Sequence, residues 1–86
     1  TQELAQAASA TKRATLDIKR AMSEVTRAEA ARNIRDVSYR RIANVSKTRP
    51  NLVAQQEVDD SAARLQEAEA QVSTAKAALA SIEVQV

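Results

Sequence analysis

The chain contains no glycine, and its single proline, Pro50, lies between two long segments with a seven-residue hydrophobic pattern. Tight turns and left-handed backbone conformations usually require glycine, so a chain without it can form few turns. Proline disfavours a helical conformation at the residue before it. These two facts predict two helices that are joined by a single break near Pro50.

The second segment has the more regular pattern. Apolar residues occupy every seventh position, and small or apolar residues lie three positions further along. This a/d pattern, sustained over four heptads, is typical of a left-handed coiled coil. The two columns are Val58, Leu65, Val72, Leu79 and Val86, and Ser61, Ala68, Ala75 and Ile82.

The first segment has the same period with smaller side chains. Its columns are Leu4, Thr11, Ile18 and Val25, and Ala7, Ala14, Ala21 and Ala28. Beyond Ala28 the apolar residues no longer keep this spacing, so we expect the contact seam to shift there. Such a shift is a stutter, which locally relaxes the supercoil. The expected seam residues in this stretch are Ala31, Ile34, Val37 or Ser38, Arg41 or Ile42, and Val45.

A short connection between two helices makes them antiparallel neighbours. We therefore predict an all-α fold, a two-helix antiparallel coiled-coil hairpin that occupies residues 1–86 as one domain. Helix 1 is expected over about 2–47, the turn over 48–53 and helix 2 over about 54–85. At ~1.5 Å per residue, the helices would extend about 70 Å and about 48 Å.

The details of the hairpin follow from its turn. Asn51 is a good N-cap candidate for helix 2, and the start of this helix is expected anywhere up to Ala54. Folding the chain about Pro50 brings Leu65 to the level of Val37, and Leu79 to the level of Met22. Helix 1 has ten Lys/Arg against five Asp/Glu, whereas helix 2 has two against six. Opposite charges favour the pairing, although exposed ion pairs contribute only ~0.2–1 kcal/mol each.

Several function classes are excluded by composition. The chain has no histidine and no cysteine, so it lacks the usual ligands of zinc and haem sites and the usual base that activates a nucleophile. We predict that it is not an enzyme and has no cofactor and no metal. No apolar run approaches the ~18 residues of a membrane span, so we expect no direct membrane insertion by this segment.

The stretch from Arg27 to Arg49 is basic, which raises the possibility of nucleic-acid binding. It has no interleaved aromatic residues except Tyr39, and its arginines are distributed around the helix. A solvated or partner-facing basic surface is therefore the preferred interpretation, and no nucleic-acid partner is expected.

The residues around the turn are the most informative part of the chain. Leu52 and Val53 are apolar, although a turn of this kind has no core to receive them. One interpretation is that they cap the end of the coiled coil. The other is that they are buried in another protein, with Arg41 and Gln55 or Gln56 as polar anchors beside them.

The sequence from Tyr39 to Ser61 resembles a known family. It reads Tyr-x-Arg-Ile-x-x-Val, a short turn, and then Val-Ala-Gln-Gln-Glu-Val-Asp-Asp-Ser. This pattern is similar to the α-helical hairpin of periplasmic adaptor proteins, the haemolysin-D-type membrane fusion proteins of tripartite efflux pumps and type I secretion systems. The resemblance implies that the chain is a fragment of a larger adaptor protein, located in the periplasm and anchored to the inner membrane.

The resemblance also implies a binding site at the tip of the hairpin. The family has an arginine, a leucine four residues later and a serine before the Gln-Glu run, and these fall on Arg41, Val45 and Ala54. Ala54 lacks the serine hydroxyl, so Asn51 is expected to cap helix 2 in its place, and the turn is about two residues longer than usual. The predicted partner-binding residues are Arg41, Val45, Leu52, Val53, Ala54 and Gln55.

The implied partners are an outer-membrane channel, an inner-membrane transporter and neighbouring adaptor copies in a ring. The hairpin would bridge the transporter to the channel and dock through its tip. The alternative is a generic coiled-coil segment of a scaffold or filament that contacts no channel, because heptads alone fit both functions.

Overall fold

The computed structural model of the chain describes residues 1–85, which form two helices and no strand. Helix α1 spans Gln2–Thr48 and helix α2 spans Gln55–Gln85. They pack against each other in a rod that measures 73 × 14 × 13 Å. The predicted fold class, an all-α antiparallel hairpin with one turn, is confirmed.

The seam of α2 follows the predicted columns. Every a and d residue from Val58 to Ile82 is buried or half-buried. The most buried are Ala68 and Ser61, with relative exposures of 5% and 6%. Val86, the last residue of the predicted a column, lies outside the described residues.

The a column of α1 keeps its seven-residue spacing to the end of the helix, whereas the d column is interrupted at Arg35, which is exposed. Ala21 and Val25 are the most buried residues of this helix, and the a column continues through Arg32, Tyr39 and Ser46, all half-buried. Large polar side chains can cover a seam with their apolar atoms. A change in residue type beyond Ala28 therefore does not require a change in register.

The predicted shift of the seam is wrong at Ile34 and for the Val37 alternative, whereas Ala31 and Val45, which it also named, are half-buried. The side chains of Ile34 and Val37 are 66% and 55% exposed, and they lie on the side of α1 that faces away from α2. Two of the expected seam positions had alternatives, Val37 or Ser38 and Arg41 or Ile42. Ser38 and Ile42 are half-buried, whereas Arg41 is exposed.

The expected alignment of the two helices also needs a small correction. Met22 and Val37, which were expected opposite Leu79 and Leu65, are both more than half exposed. Ala21 occupies the level of Leu79 instead, and it lines a cavity with Ala75, Ala78 and Ile82. The heptad columns therefore meet a to d across the hairpin, as expected for antiparallel coiled coils.

The turn reverses the chain without glycine. Arg49, the residue before Pro50, leaves the helical region with φ −140° and ψ 76°. Its N–H donates to the carbonyl of Val45 at 2.7 Å, and the N–H of Leu52 donates to the carbonyl of Arg49 at 3.0 Å. No residue among 1–85 has a positive φ. The turn therefore uses no left-handed backbone position, and a chain without glycine can form it.

Asn51 does not cap α2, contrary to the prediction. It lies within the turn, and α2 begins at Gln55. The carbonyl of Ala54 accepts hydrogen bonds from the N–H groups of Glu57 and Val58, at 3.0 and 3.4 Å. Ala54 is therefore the N-cap residue of α2.

Candidate functional site: the hairpin tip

The tip of the hairpin, residues 41–55, contains all six predicted binding residues. Leu52 is 65% exposed at the apex of the turn. Val53 is half-buried and Ala54 is exposed. Val53 is therefore partly covered, whereas Leu52 does not cap the coiled coil and presents its side chain to solvent.

Arg41 and Val45 lie one helical turn apart on the same side of α1. Arg41 is exposed and Val45 is half-buried. Arg41 lies seven residues before the end of α1 at Thr48, which places it about 10 Å from that end along the helix at 1.5 Å per residue. Arg41 therefore lies at the end of the tip that adjoins the shaft.

Arg41 differs from its neighbour Arg40 in its electrostatic environment. The Nε of Arg40 lies 3.3 Å from Oδ1 of Asp36, one turn earlier on the same helix. Arg41 forms no ion pair with any residue of the described chain. Its charge is consequently available to a partner, whereas that of Arg40 is largely engaged within α1.

Gln55 lies on a different side of the hairpin from Arg41. Its Nε2 donates to Oδ1 of Asp59 at 3.0 Å, one turn further along α2. Gln55 is at heptad position e of α2, on one side of the seam. Arg41 is at position c of α1, which lies on the other side of the seam and further from it. The six predicted residues therefore surround the tip and do not form a single patch.

Sequence reasoning missed two structural features of the tip. The Thr48 hydroxyl donates to the carbonyl of Asn44 at 3.0 Å, which gives the last turn of α1 an additional hydrogen bond. The ion pair that separates the roles of Arg40 and Arg41 was also missed. The spacing of Asp36 and Arg40, four residues apart on a helix, is a signal that could have revealed it.

One cavity along the rod has a volume of about 550 Å³ and an alanine-rich lining that includes Ala28, Ala31, Ala75 and Ala78. Residues 1–85 contain no group of acidic side chains placed to hold a metal ion. They also contain no helix that is long and apolar enough to cross a membrane.

The fold and its exposed apolar apex define a two-helix hairpin, and a family comparison makes this class specific. A family model described as "RND MFP, alpha-helical hairpin domain" matches residues 17–86. The match includes the turn, all of α2 and most of α1. The chain therefore belongs to this family of membrane fusion protein hairpins, as its resemblance predicted.

The family has general properties that bear on this chain. Its members are periplasmic adaptors, are not enzymes in general, and interact with an outer-membrane channel and an inner-membrane transporter. No significant match to this chain was found among curated proteins, and none was found among solved structures.

Proposed function

We propose that this hairpin bridges an inner-membrane transporter to an outer-membrane channel and docks on the channel through its tip. The observation that carries the proposal is Leu52, a large apolar side chain that is 65% exposed at the apex of a rod 73 Å long. We further propose that the full-length protein acts in the periplasm, anchored to the inner membrane, as one of several copies in a ring.

The rod is suited to act as a spacer. Helix α1 continues for 47 residues without interruption, and Pro50 lies outside both helices. Sharp kinks in helices arise mostly at proline, glycine or π-bulges, and neither proline nor glycine occurs in α1 or α2. The hairpin can therefore hold its tip at a fixed distance from the other end.

Docking at the tip combines one apolar and one charged contact. Complete burial of a leucine side chain is worth about 1.5–3 kcal/mol, and Leu52 has most of its surface available. Arginine is enriched among the residues that dominate binding energy at interfaces. Arg41 would pair with carboxylates or helix-terminal carbonyls of the channel, while Val45, Val53, Ala54 and Gln55 would supply the surrounding contact surface.

The proposal is tested by charge reversal at the tip. Arg41→Asp in the full-length protein is expected to abolish export and co-purification of the channel, because it replaces an unpaired cation at the docking surface by an anion. Arg20→Asp is the matched control, since Arg20 is exposed at the same heptad position far from the tip. We expect it to retain export.

Both variants must keep the helicity of the parent protein, measured by circular dichroism. Normal export by Arg41→Asp would contradict the tip assignment. Loss of export in both variants would indicate that the basic charge of α1 matters as a whole, and it would favour a coiled-coil segment without a specific docking tip.

A further inference from the structure

One side of the hairpin carries a continuous groove between the two helices, which we call the seam groove. Four cavities follow one another along it, and each shares lining residues with the next. Asp17 belongs to the first and second cavities, Glu24 to the second and third, and Ala31 to the third and fourth. From Ala10 to Arg35 the groove extends about 38 Å at 1.5 Å per residue.

The floor of the seam groove consists mainly of alanine side chains from both helices. Small side chains leave space beside a helix contact that larger side chains would fill. The second and third cavities have volumes of about 320 and 550 Å³, which lie within the range of ligand sites. The alanines are Ala14, Ala21, Ala28, Ala31, Ala75 and Ala78.

Toward the tip, the seam groove ends at two arginines, one from each helix. Arg35 of α1 and Arg64 of α2 line the same cavity, which has a volume of about 140 Å³, and Glu67 and Gln71 lie beside them. Neither arginine forms an ion pair within residues 1–85. Two positive charges that face one small cavity repel each other, so an anion bound between them would be stabilised.

The charges along the seam groove give it a direction. Basic and acidic residues balance in the first cavity and in the third, where Glu24 and Arg27 pair at 3.2 Å. The second cavity has one acidic residue in excess. The fourth cavity has one positive charge in excess, because Glu67 offsets only one of its two arginines. An anionic group is therefore favoured at the fourth cavity.

The size of this excess charge indicates the kind of anion. The guanidinium group of arginine binds both carboxylates and phosphates through two parallel N–H donors. A phosphate monoester carries a charge of about −1.5 to −2, whereas a carboxylate carries a single negative charge. One carboxylate neutralises the fourth cavity, and the adjoining apolar floor is suited to a hydrocarbon chain.

We propose that the seam groove binds a long-chain carboxylate, with its carboxylate group between Arg35 and Arg64 and its chain directed toward Ala21. The length of the groove matches such a chain. The hydrocarbon core of a bilayer is ~30 Å thick and contains two layers of chains, so one chain extends about 15 Å. Ala31 and Ala21 are also about 15 Å apart along α1. This site goes beyond docking and uses no residue of the tip.

Photolabelling tests the position of the ligand. The purified full-length protein is irradiated with hexadecanoic acid that carries a diazirine near the methyl end of its chain, below the concentration at which this probe forms micelles. Mass spectrometry of peptides should locate the adducts at the level of Ala21 and Ile82. Unlabelled hexadecanoate should prevent the labelling, whereas hexadecan-1-ol, which has no carboxylate, should not.

The role of the two arginines is tested by the dissociation constant of hexadecanoate. Arg35→Gln with Arg64→Gln should raise it by about tenfold or more, because hydrogen bonds to the charged group are lost. Lys19→Gln with Lys76→Gln is the matched control, since these exposed lysines lie one on each helix and outside the groove. The control should change the dissociation constant by at most about twofold.

The apolar part of the groove is tested by filling it. Ala78 is exposed and lines the second and third cavities, so Ala78→Leu should weaken hexadecanoate binding. Ala80→Leu, at an exposed position outside the groove, should bind as the parent protein does. Circular dichroism must show equal helicity in all variants.

The proposal is refuted if adducts form only outside the groove, or if hexadecan-1-ol protects as well as hexadecanoate. An equal loss of affinity in both double variants would instead indicate attraction to basic charge in general. A photoreactive residue at position 78 that captures another protein in cells, without displacement by hexadecanoate, would assign the groove to a helix of that protein. All these measurements are independent of channel binding, so docking at the tip is tested separately.

Discussion

The Nε of Arg40 lies 3.3 Å from Oδ1 of Asp36, and the Asp36 side chain is only 19% exposed whereas that of Arg40 is 74% exposed. The Asp36 carboxylate is therefore mostly buried in the hairpin, and it holds the Arg40 side chain against α1. Because Arg41 has no such partner in the described chain, two adjacent arginines have different roles. One stabilises the shaft, and the other is available at the tip.

Asp36→Asn is expected to lower the free energy of unfolding by up to about 1 kcal/mol, near the upper end for ion pairs of this type. The measurement is urea denaturation followed by circular dichroism at low and high salt. Glu24→Gln is the control, because Glu24 and Arg27 form a pair at 3.2 Å in which both side chains are mostly exposed. Glu24→Gln should lower the free energy of unfolding by less. An equal loss of stability in both variants would show that the partial burial of Asp36 does not strengthen its ion pair.

Ala54→Ser should raise the free energy of unfolding by about 0.5–2 kcal/mol, because Ala54 is the N-cap of α2 and a serine there can accept a hydrogen bond from the first turn. Thermal denaturation is a sufficient measurement. Ala54→Val has no oxygen and should give no increase. A higher melting temperature for the valine variant than for serine would rule out the capping explanation.

Ala68→Leu is expected to destabilise the hairpin by about 1–3 kcal/mol, because Ala68 is 5% exposed and additional atoms at a closely packed contact force the helices apart. Ala80→Leu, at an exposed position on the same helix, should change stability by less than about 0.5 kcal/mol. Equal stability of the two variants in urea denaturation would mean that the helices are not in close contact at Ala68.

Pro50→Ala should leave the hairpin folded, because the seam and the hydrogen bond from Leu52 to Arg49 remain. Small-angle X-ray scattering distinguishes the outcomes, since the hairpin has a Cα radius of gyration of 20.3 Å. One continuous helix would instead be a rod about 130 Å long at 1.5 Å per residue. That longer rod would mean that proline alone enforces the reversal.

The sequence was sufficient for the fold because its strongest signals are local and periodic. The heptads at Val58, Leu65 and Val72 predict the seam of α2, and Pro50 predicts the break. The register of α1 beyond Ala28 could not be predicted in the same way. There Arg32 and Tyr39 occupy seam positions, and residue type no longer indicates which side chains contact the partner helix.

The candidate site was less predictable than the fold. Arg41 and Leu52, two of the predicted binding residues, are both exposed near the turn, and their spatial relation depends on where α2 begins. The start of α2 is set by the path of the turn, whose hydrogen bonds involve backbone groups that any residue carries. For this reason Asn51, with a favourable capping side chain, lies outside the cap position that Ala54 occupies.

The tip assignment is best examined by site-specific photocross-linking at Leu52 in the full-length protein within living cells. The account predicts an adduct that mass spectrometry identifies as an outer-membrane channel, and Arg41→Asp should remove it. The same cross-linker at Asn33, an exposed position on the shaft, should give no channel adduct. A channel adduct that forms at Asn33 and not at Leu52 would contradict docking through the tip.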